Sequence, residues 1–283
     1  SKSGRQAISG DIFIDATGDG DIFAKAGIPF EKGRLKDGLT QSMGLMFRLG
    51  NVNKKPPGKE IIDLARKAIE DGSLPAYRVS FGSQGSTIRE NEVSVNVTRI
   101  PGDGTNIYDL TNAEIRGRKD VKTIVKFFRE NIPGYENCYL ISTGVIGVRE
   151  TRRLVGEYIF TREDVLEGRK FKDVIARGAW GIDIHSPEGK PEDLTQWPEE
   201  GISYDIPYRC LLPKRIDNLI VAGRCISATH EAMASLRVMP TCMAMGQAAG
   251  TAAALSMKEE TALSSLDVRK LQKVLREQGA NLG

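Results

Sequence analysis

Apolar and polar positions change rhythm twice along the chain. The apolar run from Ile8 to Ile14 leads into Asp15-Ala16-Thr17-Gly18-Asp19-Gly20, and the pattern predicts a buried strand, a glycine turn and a short helix ending at Gly27. Between about 35 and 205 the rhythm differs. Ile61, Leu64, Ala65 and Ile69 recur at helical spacing behind Pro56-Pro57-Gly58. Tyr77 to Phe81 and Val93 to Ile100 read as strands, because Val93, Val95 and Val97 alternate with Ser94, Asn96 and Thr98. Thr111-Asn112-Ala113-Glu114 reads as a capping box opening a long helix through Ile115, Val121, Ile124, Val125 and Phe128, which stops near Pro133-Gly134. Two further strands are expected over 139–148 and 154–160. From 206 onward the first rhythm returns. A short buried strand spans Asn218 to Ala222, a long helix with Pro240 in its first turn runs through Ala254, and a last helix carries Leu266, Leu271, Val274 and Leu275. The pattern predicts an α/β domain in two segments, 1–34 and 206–283, with an α+β insert at 35–205.

Composition narrows the function classes. Of 283 residues, 40% are hydrophobic and 27% charged, which predicts a soluble globular protein. The 40 basic and 37 acidic residues are mixed along the chain, so no footprint for nucleic acid or a membrane surface is expected. Cys138, Cys210, Cys225 and Cys242 form no CxxC pair, so no metal site is expected and the thiols read as reduced, in a cytoplasmic protein. Asn96-Val97-Thr98 is a glycosylation triplet with nothing beside it to suggest secretion. The apolar stretch from Val238 to Met257 is rich in Ala, Gly and Thr and carries Gln247, so it predicts a core helix rather than a membrane span.

Two segments carry chemistry. A strand running into Gly18-x-Gly20 and a helix is the recipe for a phosphate site, with Ala16, Thr17, Gly18, Asp19 and Gly20 as candidates. Phe23 stands where a third glycine would complete the usual fingerprint, and the acidic residues of the turn would repel a pyrophosphate. The second segment is the strand ending in Gly223-Arg224-Cys225-Ile226, followed by a helix whose first turn holds Pro240 and Thr241. Free amides and the positive end of the dipole at such a helix suit a pyrophosphate.

These two segments, with Gly246-Gln247-Ala248-Ala249-Gly250-Thr251-Ala252-Ala253, resemble a family of bacterial FAD-dependent oxidoreductases in the glutathione-reductase-like flavoprotein superfamily, related to fumarate reductase flavoproteins. Gly147-Val148-Arg149-Glu150-Thr151-Arg152-Arg153, Ile182-Asp183-Ile184-His185 and Tyr204-Asp205-Ile206-Pro207-Tyr208-Arg209 resemble that family's insert. The resemblance implies a partial FAD/NAD(P)-binding domain with an inserted α+β substrate or cap domain. It also implies FAD as cofactor, and hydride transfer with a small organic substrate as activity. The family's Gly-x-Gly-x-x-Gly strand is missing from this chain, so the expected site is half a site, and a fragment without activity or FAD is the alternative.

For a flavin enzyme the candidate catalytic residues are Arg149, His230 and Arg237. A guanidinium grips a substrate carboxylate bidentately, and a histidine serves as base or proton donor near neutral pH. In a strand, Arg149 and Arg153 would share a face and Arg152 take the other. His185 reads as structural, and Cys225 as a small buried residue. A small-molecule substrate is the expected partner; the sequence leaves a homo-oligomer open.

Overall fold

The computed structural model describes residues 2–53, 58–74, 84–190 and 193–283. In chain order the elements are β1 (Phe13–Asp15), α1 (Asp21–Lys25), β2 (Phe30–Lys32), β3 (Phe47–Gly50), α2 (Gly58–Glu70), β4 (Gln84–Ser86), β5 (Val93–Val95), α3 (Ile107–Asn131), β6 (Tyr139–Thr143) and β7 (Arg152–Leu154). There follow α4 (Arg162–Leu166), β8 (Val174–Gly178), β9 (Ile182–Ile184), β10 (Leu194–Gln196), β11 (Tyr204–Pro207), β12 (Leu219–Val221), α5 (His230–Leu236), α6 (Met239–Glu259) and α7 (Val268–Glu277). The mixture of helices and small sheets is that of an α/β flavoprotein-like fold. The expected strand at 77–81 and the residues Pro56 and Pro57 lie outside the described residues.

The chain divides into two compact units. One comprises 1–32, 152–182 and 196–283; the other comprises 33–151 and 183–195. Residues 152–182 and 196–205, read from sequence as part of the insert, therefore pack with the terminal segments. The cause lies in their pairings. β7 runs antiparallel to β2, β8 runs antiparallel to β11, and α6 and α7 pack on β8, so the start and end of the chain hold this stretch.

In the first unit β1 pairs in parallel with β12, Phe13 opposite Leu219 and Asp15 opposite Val221. The ladder continues through the Ala222 amide, which donates to the Asp15 carbonyl at 3.0 Å. The strand expected from Ile8 is confined to Phe13–Asp15. Ile8 is exposed, Phe13 and Ile14 are partly so, and only Asp15 is buried, because the described strands give this sheet two members and an open face. The core lies behind it. α5 is buried through Ala232, Met233, Ala234 and Leu236, while Ala248, Ala249 and Ala252 let α6 press against β8. α7 buries Leu271 and Leu275, and the Gln272 amide donates to the carbonyls of Lys172 and Val174 at 2.9 and 3.0 Å. No helix among the described residues is long and apolar enough to cross a membrane.

The second unit is an antiparallel sheet in the order β4-β5-β3-β6 with α2 and α3 on its apolar side. Phe47, Leu49, Val93, Val95, Val121, Ile124 and Phe128 form its core. Period-two alternation was legible at β5, where Val93 and Val95 are buried and Ser94 is half-buried. α3 begins four residues earlier than the expected capping box. Asn106 caps it, accepting from the amides of Tyr108 and Asp109, and Ile115 is exposed. Glu114 instead accepts from the Ile146 amide at 2.7 Å and pairs with Arg118. The expected strand over 139–148 stops at Thr143, and that expected over 154–160 is the three-residue β7, starting at Arg152.

Candidate functional site

In the first unit, parallel pairing of β1 and β12 brings together two loops some two hundred residues apart in sequence, both leaving the carboxyl ends of their strands. That end of a parallel α/β sheet is where ligands bind. The two loops touch. Arg224 Nη2 lies 3.0 Å from Asp19 Oδ1. A Cβ at Gly18 would come within 2.7 Å of the Arg224 guanidinium, and Gly18 adopts φ +78°. Glycine at this position therefore meets two demands at once, the left-handed turn and the approach of the arginine.

Asp15 organises the first loop. Its buried carboxylate accepts from Thr17 Oγ1 at 2.7 Å, from the Thr17 amide at 3.1 Å, and from the Ile22 and Phe23 amides at 3.0 Å. The anion held at the start of α1 is thus the chain's own Asp15. This corrects the expectation that those amides face a ligand phosphate. The acidic side chains of the turn are neutralised locally as well. Arg152 donates to the Asp19 carbonyl and to Asp21 Oδ1, both at 3.0 Å.

The second loop offers different groups. Gly223 has φ +88°, and a Cβ there would meet nothing within 4 Å, so the backbone lies open on that side. Arg224 Nη1 is buried without a hydrogen-bond partner. α6 begins at Met239 with no side-chain cap, and Pro240 stands in its first turn, lacking an N–H. The amides of Met239 and of buried Thr241 are what this helix start presents. Cys242 marks how the cations cluster here. Burial pushes its thiol up, while the Arg224 and Arg237 guanidiniums both pull it back down.

Ile226 is buried, and Cys225 is buried with its thiol pushed up to about 12, chiefly by burial and by the nearby Asp15 carboxylate. Burial also raises Cys138 and, strongly, Cys210. A thiol reacts as its thiolate, which for Cys225 forms only as pH rises towards that value. At pH 8 a disulfide reagent is accordingly expected to leave the native chain nearly untouched and to modify all four cysteines once it is unfolded. Rapid native modification mapped to Cys225 by mass spectrometry would refute this.

The remaining candidates fall in different places. His230 is buried at the first position of α5, behind Thr229, whose hydroxyl caps the helix by accepting from the Ala232 amide at 3.2 Å. Arg237 ends the same helix and is half-buried. Arg149 lies in the second unit, outside any strand, donating to the Ser42 carbonyl at 2.7 Å and to Asn96 Oδ1 at 3.2 Å. The expected shared strand face of Arg149 and Arg153 is therefore absent. Arg153 is a buried member of β7, donating to the Ala228 carbonyl at 2.9 Å and pairing with Glu31 at 3.6 Å. Sequence reasoning missed Asp15 as the turn's anchor and Arg152 as its brace. An aspartate closing a strand before Gly-x-Gly was the available signal for Asp15; Arg152 gave none.

His185, read from sequence as structural, sits on the β9–β10 hairpin between two carboxylates. Nε2 is 3.2 Å from Asp183 Oδ2 and Nδ1 is 3.2 Å from Asp193 Oδ2. Arg99, almost wholly buried, pairs with the same Asp193 oxygen at 2.6 Å. Burial pushes Asp193 up, but the His185 ring and the Arg99 guanidinium outweigh it and hold the carboxyl well below its usual range.

Comparison with known proteins gives one result. No curated protein and no solved structure matches the chain. The model of the family described as "FAD dependent oxidoreductase" matches residues 1–275, nearly the whole length, and the chain belongs to that family.

Proposed function

We propose that this oxidoreductase moves a hydride between a small organic substrate and FAD, and that the loops after β1 and β12, with the start of α6, form part of the cofactor's site. The observation that carries the reading is Arg224. One arm of its guanidinium is engaged by Asp19, while Nη1 is buried with no acceptor. A buried donor left unmade costs about 1–3 kcal/mol, so the site fits a ligand oxygen. The uncapped amides of Met239 and Thr241 and the dipole of α6 favour the same kind of group, an anionic phosphate. Gly246 and Gly250 on α6, like Gly223, have open space where a Cβ would stand, which suits close approach of a flat or extended ligand.

FAD, when bound, supplies the two-electron chemistry. The chain's residues do the rest. Arg224 and the α6 amides would hold the pyrophosphate. The saturated Asp15–Gly20 turn holds Arg224 in place. His230 exchanges the substrate proton, and Arg237 adds positive charge near the α6 start. The contacts of Arg149 suit bracing in the second unit better than a grip on substrate. A second reading, in which the chain folds but does not retain FAD alone, is favoured by the exposure of Phe13 and Ile14, since parallel sheets are normally covered on both faces.

The test is an absorption titration with FAD followed by gel filtration, then anaerobic bleaching with candidate substrates. Retained flavin bands support the first reading, and a folded, colourless chain the second. In a flavin-retaining preparation, His230→Gln is expected to slow bleaching by about 10²–10⁴-fold with FAD retention unchanged. Unchanged bleaching would remove His230 from the chemistry.

A further inference from the structure

The second unit holds a cluster of Asp183, His185 and Asp193. We propose that it is a binding site for a divalent first-row transition ion, a staple across the β9–β10 hairpin. One ligand atom from each of the three residues lies within 4.8 Å of the others. Ligands on a single ion at about 2.1 Å are at most about 4.2 Å apart, so small side-chain rotations close the cage.

The histidine points to an ion more directly than the carboxylates do. His185 is 7% exposed, and its Nδ1 has no hydrogen-bond partner although Asp193 Oδ2 is only 3.2 Å away. A short separation without hydrogen-bond alignment is poor geometry for an imidazole donating to a carboxylate. It is good geometry for two neighbouring ligands on one ion, whose donor atoms at about 2.1 Å subtend separations of about 3.0–3.4 Å.

Arg99 does not take the ion's place. It engages Asp193 through Nη2 at 2.6 Å and Nε at 3.3 Å, and the Ser186 amide donates to the same carboxylate at 3.2 Å. Outer groups of this kind orient a ligating carboxylate. Two carboxylates against one guanidinium leave a negative balance that a divalent ion reverses. One imidazole with two carboxylates suits manganese, iron, cobalt or zinc rather than calcium or magnesium, which prefer oxygen alone.

The experiment uses the full chain after chelator treatment, titrated with Co²⁺ by visible absorption and with Zn²⁺ by calorimetry. One equivalent per chain is expected, without thiolate charge-transfer bands. Asp183→Asn and His185→Gln should each weaken binding at least tenfold with unchanged circular dichroism. Asp183 is the most exposed of the three and keeps the test valid if His185→Gln fails to fold. Cys242→Ser, at the least buried thiol, should bind as the parent does. The proposal is overturned by the lack of saturable binding at one equivalent, by full-strength binding in Asp183→Asn, or by loss of binding in Cys242→Ser.

Discussion

Asp15→Ala is expected to lower the unfolding free energy by about 3–5 kcal/mol, because it leaves buried donors without their charged acceptor. Four donors converge on this carboxylate: the Thr17 hydroxyl and the amides of Thr17, Ile22 and Phe23. Water cannot replace it easily, since Asp15 is fully buried and Phe23 behind it is too. The turn has no alternative shape available. Gly20 adopts φ +67°, and even a Cβ there would lie 2.1 Å from the Phe23 ring, so backbone and core fix each other. Asp15→Asn keeps one acceptor oxygen and should lose about half as much. Urea unfolding followed by circular dichroism measures both. A loss below about 1 kcal/mol for Asp15→Ala would mean that the turn re-forms around other acceptors.

The same residue shows what was legible in the sequence. Strand, glycine turn and short helix were visible at 13–27, although the helix ends at Lys25, two residues before Gly27 with its φ of +74°. The polarity of the turn was visible too. Taken as three separate charges, its acids are hostile to a phosphate. In the fold each has its own cation or amide; the groups that hold Asp15 are local, but the arginines on Asp21 and Asp19 come from positions 152 and 224, which no local pattern links to the turn. The long amphipathic helix α3 and the alternating β5 were legible because their periods are local. The split of 152–182 and 196–205 from the insert was not, because it depends on pairing β7 with β2 and β8 with β11. The capping box at Thr111 failed for a related reason. Ser/Thr-x-x-Glu fits many positions, and here Asn106 took the cap while Glu114 was drawn to the Ile146 amide. The cluster around His185 was not legible either, because its carboxylate partners lie two and eight residues away on a hairpin that the sequence does not announce.

Arg224→Met is expected to weaken FAD binding by about 10–100-fold, about 1.4–2.7 kcal/mol, while changing the stability of the cofactor-free chain little. The asymmetry follows from the environment of the guanidinium. Its bond to Asp19 joins side chains that are 23% and 30% exposed, and such pairs contribute about 0–1 kcal/mol. Its buried Nη1 contributes nothing to the cofactor-free fold and costs desolvation. Removing the group therefore relieves one penalty as it breaks one weak pair. With a phosphate oxygen on Nη1, the balance turns strongly favourable. Asp19→Asn separates anchoring from positioning. It frees Nη2 and removes a negative charge near the site, so FAD affinity should change less than tenfold, and the double variant should resemble Arg224→Met rather than the sum. Salt adds an independent reading: affinity of the parent should fall with ionic strength more steeply than that of Arg224→Met, since one cation facing the phosphates is gone. Equal FAD affinity in parent and Arg224→Met would leave the unsatisfied arginine without the acceptor argued for it, and the loop after β12 would then serve only to tie the first strand to the last.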